Sequence, residues 1–215
     1  MIGKTASANA PNVALASCVS ITHTLSGMTK TVVIDFGTSC TLNNGDVVSG
    51  IITIVYTKDT AAMSKDIVGT FTNFVYNNKS IVGGKSIHRV RYNSSGNPQS
   101  TIIRDFTVTW PNGDTASRQG TKVREWIAGV FSGVWSDNVY LITGNWTNTF
   151  KNGNVHTGTV LTPLRRELVC AFFVSGTVDI VRTNYSGVLD FGSGACDNQA
   201  VFTSSNGTVH NITLN

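Results

Sequence analysis

Two stretches of the chain say nearly the same thing: Val33-Ile34-Asp35-Phe36-Gly37-Thr38-Ser39-Cys40 and Val188-Leu189-Asp190-Phe191-Gly192-Ser193-Gly194-Ala195-Cys196. An earlier cysteine precedes each, Cys18 for the first and Cys170 for the second. A polar turn and a β-rich run follow each, at 51–56 and 208–214. Four cysteines allow three pairings; because the repeat puts one pair in each copy, Cys18–Cys40 and Cys170–Cys196 are expected. Each bridge would close a loop of about 25 residues, which contributes roughly 3–4 kcal/mol in the chain-entropy model. Bonded cysteines imply an oxidising, extracytoplasmic compartment. No two cysteines stand close enough for a CxxC metal or redox motif.

Apolar and polar residues alternate with period two almost throughout, and helical periodicity is nearly absent. The alternation predicts strands at 19–25, 31–36, 47–56, 67–76, 80–92, 101–110 and 115–125. It predicts six more at 139–147, 155–161, 168–181, 185–191, 200–203 and 208–214. Asn-Asn-Gly-Asp at 43–46, Asn77-Asn78, Ser-Gly-Asn-Pro at 95–98, Asn112-Gly113, Asn152-Gly153 and Asn206-Gly207 punctuate them. Asn-Gly supplies the positive φ that type I′ turns need, so successive strands should pair as neighbours. The expected fold is all-β: an antiparallel meander of long hairpins forming a curved sandwich or roll, with duplicated disulfide-stapled units near each end. Gly129 and Gly133 interrupt the pattern and predict a corner. Residues 18–215 read as a single β domain, with duplicated units at 18–57 and 170–215 and central hairpins at 60–165. The polar, alanine-rich residues 1–17 read as an N-terminal extension, a candidate assembly strand.

Charged residues make up 13% of the chain and the formal net charge is +4. The tightest basic pair, Arg165-Arg166, is followed at once by Glu167, so a nucleic-acid footprint is not expected. No apolar run approaches the ~20 residues of a membrane helix, and the N-terminus lacks the apolar h-region of a signal peptide. Leu15-Ala16-Ser17-Cys18 has lipobox form without a preceding hydrophobic run, and Cys18 has its role in the repeat. His23, His88, His156 and His210 show no HxH, HxxxH or HExxH spacing, and Asp46 and Asp114 lie in no calcium repeat. No metal or cofactor is therefore expected. No GxSxG elbow occurs, and Asp-Phe-Gly stands without a Gly-rich loop. Asp35 and Asp190 are instead expected to accept hydrogen bonds in the turns leading to the cysteines, with Phe36 and Phe191 packed inward. An enzyme is not expected.

Two sets could bind. Arg124, Glu125, Arg165, Arg166 and Glu167 concentrate charge in a charge-poor chain, as an ion-pair network or an anion or uronate patch. Trp126, Trp135 and Trp146, with Tyr140, concentrate aromatic surface that packs a core or stacks on sugar rings. Asn-x-Ser/Thr sequons stand at Asn78, Asn93, Asn145, Asn184, Asn206 and Asn211.

The phrases Arg124-Glu125-Trp126-Ile127-Ala128-Gly129, Val139-Tyr140-Leu141-Ile142-Thr143-Gly144, Thr162-Pro163-Leu164-Arg165-Arg166-Glu167 and Asp190-Phe191-Gly192 with Cys196-Asp197-Asn198 resemble one known pattern. The chain after Cys18 is similar to a group of uncharacterised secreted or lipoprotein-type all-β surface proteins of Bacteroidota-type bacteria. The resemblance implies an exported, cell-surface β-protein and no activity. It also gives meaning to Asp59-Thr60-Ala61 and Asp114-Thr115-Ala116, which match the O-glycosylation acceptor of such bacteria at Thr60 and Thr115. The expected function is that of a non-enzymatic extracellular structural or adhesive protein, a glycosylated subunit of a fibre assembled head to tail by donated β-strands. The alternative is a glycan-binding module using the central aromatics and Arg165/Arg166.

Overall fold

A computed structural model of the chain describes residues 16–215. The proposed role of the 1–17 extension falls, save for Ala16 and Ser17, outside the described residues. Fourteen antiparallel strands form one continuous sheet that does not close. They are β1 (Ser20–Ser26), β2 (Thr29–Asp35), β3 (Cys40–Thr41), β4 (Val47–Asp59), β5 (Ser64–Tyr76), β6 (Lys79–Val90) and β7 (Gln99–Thr109). The second half holds β8 (Thr115–Ala128), β9 (Val139–Thr149), β10 (Val155–Glu167), β11 (Ser175–Arg182), β12 (Tyr185–Ser193), β13 (Gln199–Ser204) and β14 (Val209–Thr213). Each strand pairs with its sequence neighbour, except that the two-residue β3 sits beside β4 and leaves β2 to pair with β4.

Alternation located every strand but the two-residue β3, and it misread the ground between β10 and β11. Residues 168–174 are not the start of a strand: β10 runs on through Glu167, and β11 begins only at Ser175. Arg166 explains the turn. Its Nη1 donates to the carbonyls of Cys170 and Phe172 inside the turn and lies 3.1 Å from that of Glu167, which also accepts from the Cys170 N–H. The side chain of Val174, at the end of this turn, is fully buried.

The turns also differ from expectation. At Asn44-Gly45, Asn112-Gly113, Asn152-Gly153 and Asn206-Gly207 only the glycine has positive φ. In each, the glycine N–H returns to the carbonyl three residues back, as in Gly113 to Trp110. A type I turn followed by a left-handed glycine closes these loops, the arrangement that suits connections one residue longer than type I′. Asn77-Asn78, with φ of 46° and 62°, is the two-residue turn in which both central residues are left-handed.

Both repeats are closed hairpins. Cys18–Cys40 ties the open end of β1–β2 and Cys170–Cys196 the open end of β11–β12, with Cα–Cα distances of 5.5 and 5.4 Å. In each copy the aspartate accepts from the N–H two residues on: Gly37 to Asp35 at 2.7 Å and Gly192 to Asp190 at 2.8 Å. Phe36 and Phe191 each meet another ring, Phe74 and Phe173.

The two faces of the sheet differ. One face, here the inner one, carries the rings of Phe71, Phe106, Trp126, Tyr140, Trp146 and Phe202, and the core of Ile142, Leu164 and Val178. The outer face carries threonine, serine, asparagine and exposed valines such as Val68, Val82 and Val155. Gly69, Gly83, Gly84, Gly120, Gly144, Gly158 and Gly187 lie within the strands, at positions where glycine lets a sheet crease. At β6, Gly83 puts no side chain between β5 and β7, and the Phe71 and Phe106 rings meet at 5.9 Å.

Candidate functional site

In a strand, adjacent residues point to opposite faces. Five dipeptides along this chain place a cation directly before an anion: Lys58-Asp59, Lys65-Asp66, Arg104-Asp105, Arg124-Glu125 and Arg166-Glu167. The register brings every one of these cations to the inner face and every one of these carboxylates to the outer face. Lys30, Lys79, Lys85, Arg89, Arg118, Lys122 and Arg182 join the cations. Asp35, Asp179 and Asp190 join the acids. Among the strands, only Arg165 breaks the segregation: it stands on the outer face, where its Nε meets Glu167 Oε1 at 2.7 Å.

Inner-face cations therefore face one another. Lys58 is directly opposite Lys65, Lys65 opposite Arg89, and Lys85 opposite Arg104. Like charges in that position destabilise a sheet. Rings answer some of the charge: Lys65 lies 5.0 Å from the Tyr56 centroid, and Arg124 4.8 Å from that of Tyr140. Burial holds the Lys122 ammonium below the usual lysine range, and the charges of Arg124 and Arg104 push it further the same way. On the outer face one carboxylate is well satisfied. Glu125 accepts from Asn93 and Asn97, both at 2.9 Å, and these bonds hold its carboxyl below the usual range.

The residues singled out from the sequence do not gather in one place. Arg166 is engaged in the 168–174 turn and Arg165 is on the other face, so the pair makes no common patch. Trp126 is packed between Tyr140 and Phe131, whereas Trp135 is 66% exposed in the 129–138 connection between β8 and β9. Trp146 lies on the inner face, its indole against Gly158. Thr60 is exposed in the turn between β4 and β5, and Thr115 is exposed at the first position of β8. Asn78, Asn145, Asn184, Asn206 and Asn211 are exposed, while Asn93 commits its amide to Gln99 and Glu125.

A cavity of about 250 Å³ opens on the inner face beside Trp146. Among the described residues no three His, Cys, Asp or Glu side chains stand together as a metal site, and no helix is long and apolar enough to cross a membrane. Compared with known protein families, curated proteins and solved structures, the chain matches none.

Proposed function

We propose that this is a non-enzymatic, extracytoplasmic adhesive protein that holds an acidic polysaccharide against the inner face of its sheet. The segregation of charge carries this reading. Nothing in a sheet's own stability calls for Lys58, Lys65 and Arg89 in one row without a carboxylate among them. Strands stand about 4.8 Å apart, so a linear polyanion laid across them would meet these cations in turn, at a spacing near one sugar ring. The two disulfides agree with an oxidising compartment.

Surface binding of this kind should be steeply salt-dependent. Polygalacturonate should bind at low ionic strength and neutral dextran should not. Lys65→Gln with Arg89→Gln should weaken polygalacturonate binding while raising unfolding stability by about 0.2–1 kcal/mol, because a repulsive row is relieved. Equal affinity for dextran, or a double variant that binds as well as the parent, would overturn the reading.

A second reading, a fibre subunit assembled by donated strands, is favoured by the two free edges of the sheet. Among the described residues β1 and β14 have no outer partner, and β1 is exposed along its whole length. Unpaired edges of this kind accept added strands. Negative-stain images of the full chain should show filaments, and a chain lacking residues 1–17 should show none. A full-length chain that stays a monomer near 23.0 kDa removes this reading.

A further inference from the structure

The 250 Å³ cavity is built from two unlike walls. Arg104, Arg118 and Lys122 form one, on β7 and β8; Ile142, Leu164 and Trp146 form most of the other, on β9 and β10. Its floor is bare backbone, because Gly120 and Gly144 put no side chain there. Gln119, Thr121 and Asn145 border it by backbone alone, since their side chains belong to the outer face. The three cations make no hydrogen bond or ion pair with any described residue.

We infer that this cavity binds a single-chain anionic amphiphile, its acyl chain against Ile142, Leu164 and Trp146 and its head group on Arg104, Arg118 and Lys122. The chemistry of the lining favours this ligand over the alternatives. A neutral sugar would find no side-chain hydrogen-bond acceptor there, and a hydrocarbon would leave three cations unanswered. At about 30 Å³ per water-sized group the space takes a chain of about eight carbons. The charge on Lys122, disfavoured in the free protein, would be stabilised by the arriving anion. This inference uses some of the same cations as the polysaccharide reading but stands on the apolar wall, which that reading does not need.

Decanoate, kept below its micelle concentration, is the probe, with binding read by calorimetry and by tryptophan fluorescence. One saturable site is expected, with decanol at least about tenfold weaker. Arg104→Gln with Lys122→Gln should lose about tenfold or more in decanoate affinity. Ile102→Trp, which intrudes on the cavity, should abolish decanoate binding and still bind polygalacturonate. Thermal melts show that each variant is folded. Failure of decanoate to saturate, equal binding of decanol, or undiminished binding by a folded Ile102→Trp variant would overturn the inference. So would binding confined to phosphatidylglycerol vesicles, which would assign the cations to a membrane surface. A parent protein that binds polygalacturonate but not decanoate overturns this inference alone; the reverse result overturns only the polysaccharide reading.

Discussion

Gly144→Ala should destabilise the protein by about 3 kcal/mol or more, a loss read by urea unfolding. Gly144 has φ of +129°, and a Cβ there would be driven into the carbonyl of Thr121 on β8. The obstacle is backbone on the neighbouring strand, so no rotamer change relieves it, and the hydrogen bonds of the ladder hold both partners in place. Gly207, in the last hairpin turn, provides the control: φ is +87°, and nothing lies within 4 Å of an added Cβ. Alanine there should cost only about 1 kcal/mol, the ordinary penalty of the left-handed conformation. Equal losses at the two positions would mean that close strand approach in the crease contributes nothing. The crease matters beyond stability, because Gly144 and Gly120 form the floor of the cavity.

Replacing Cys170 and Cys196 by alanine should cost about 3–4 kcal/mol, which for a chain of this length lowers the melting temperature by roughly 10 °C. Cys170 is 4% exposed and its carbonyl accepts from Arg166. Losing the bridge would therefore free the 168–174 turn as well as the open end of the β11–β12 hairpin. The Cys18–Cys40 pair closes a loop of similar length at the other end of the sheet, beside the fully exposed β1. Its removal should cost no more than the C-terminal pair. Calorimetry of the two double variants checks the order, and a C-terminal variant that melts with the parent would show that packing alone holds that hairpin.

Much of the architecture was legible because a half-buried strand writes its alternation into every residue. The thirteen longer strands were all located, and the repeat identified both cysteine pairs. Residues 168–174 misled because Leu168, Val169, Phe172, Phe173 and Val174 form an apolar run that looks like a strand. What bends them into a turn is the Arg166 guanidinium, gathering carbonyls that no local pattern reveals. The Asn-Gly loops misled in a smaller way: the dipeptide announces a turn, but loop length selects its type.

The candidate site was half-legible. Arg165 and Arg166 drew notice because they are adjacent, yet adjacency in a strand means opposite faces. The informative signal was the order cation-then-anion in Lys58-Asp59, Lys65-Asp66, Arg104-Asp105 and Arg124-Glu125, which reads as one-sided charge once the strands are known. The chain by itself determined the strands, their order, the staples and the parity of charge along each strand, because these follow from local alternation and short connections. Only the tertiary structure decided that the basic sides of successive strands coincide, since that depends on register and bulges. It also decided that Gly120 on β8 and Gly144 and Trp146 on β9 line a cavity with residues of β7 and β10. Register is a property of pairs of strands, and a cavity is a property of curvature, so neither is encoded in any one segment.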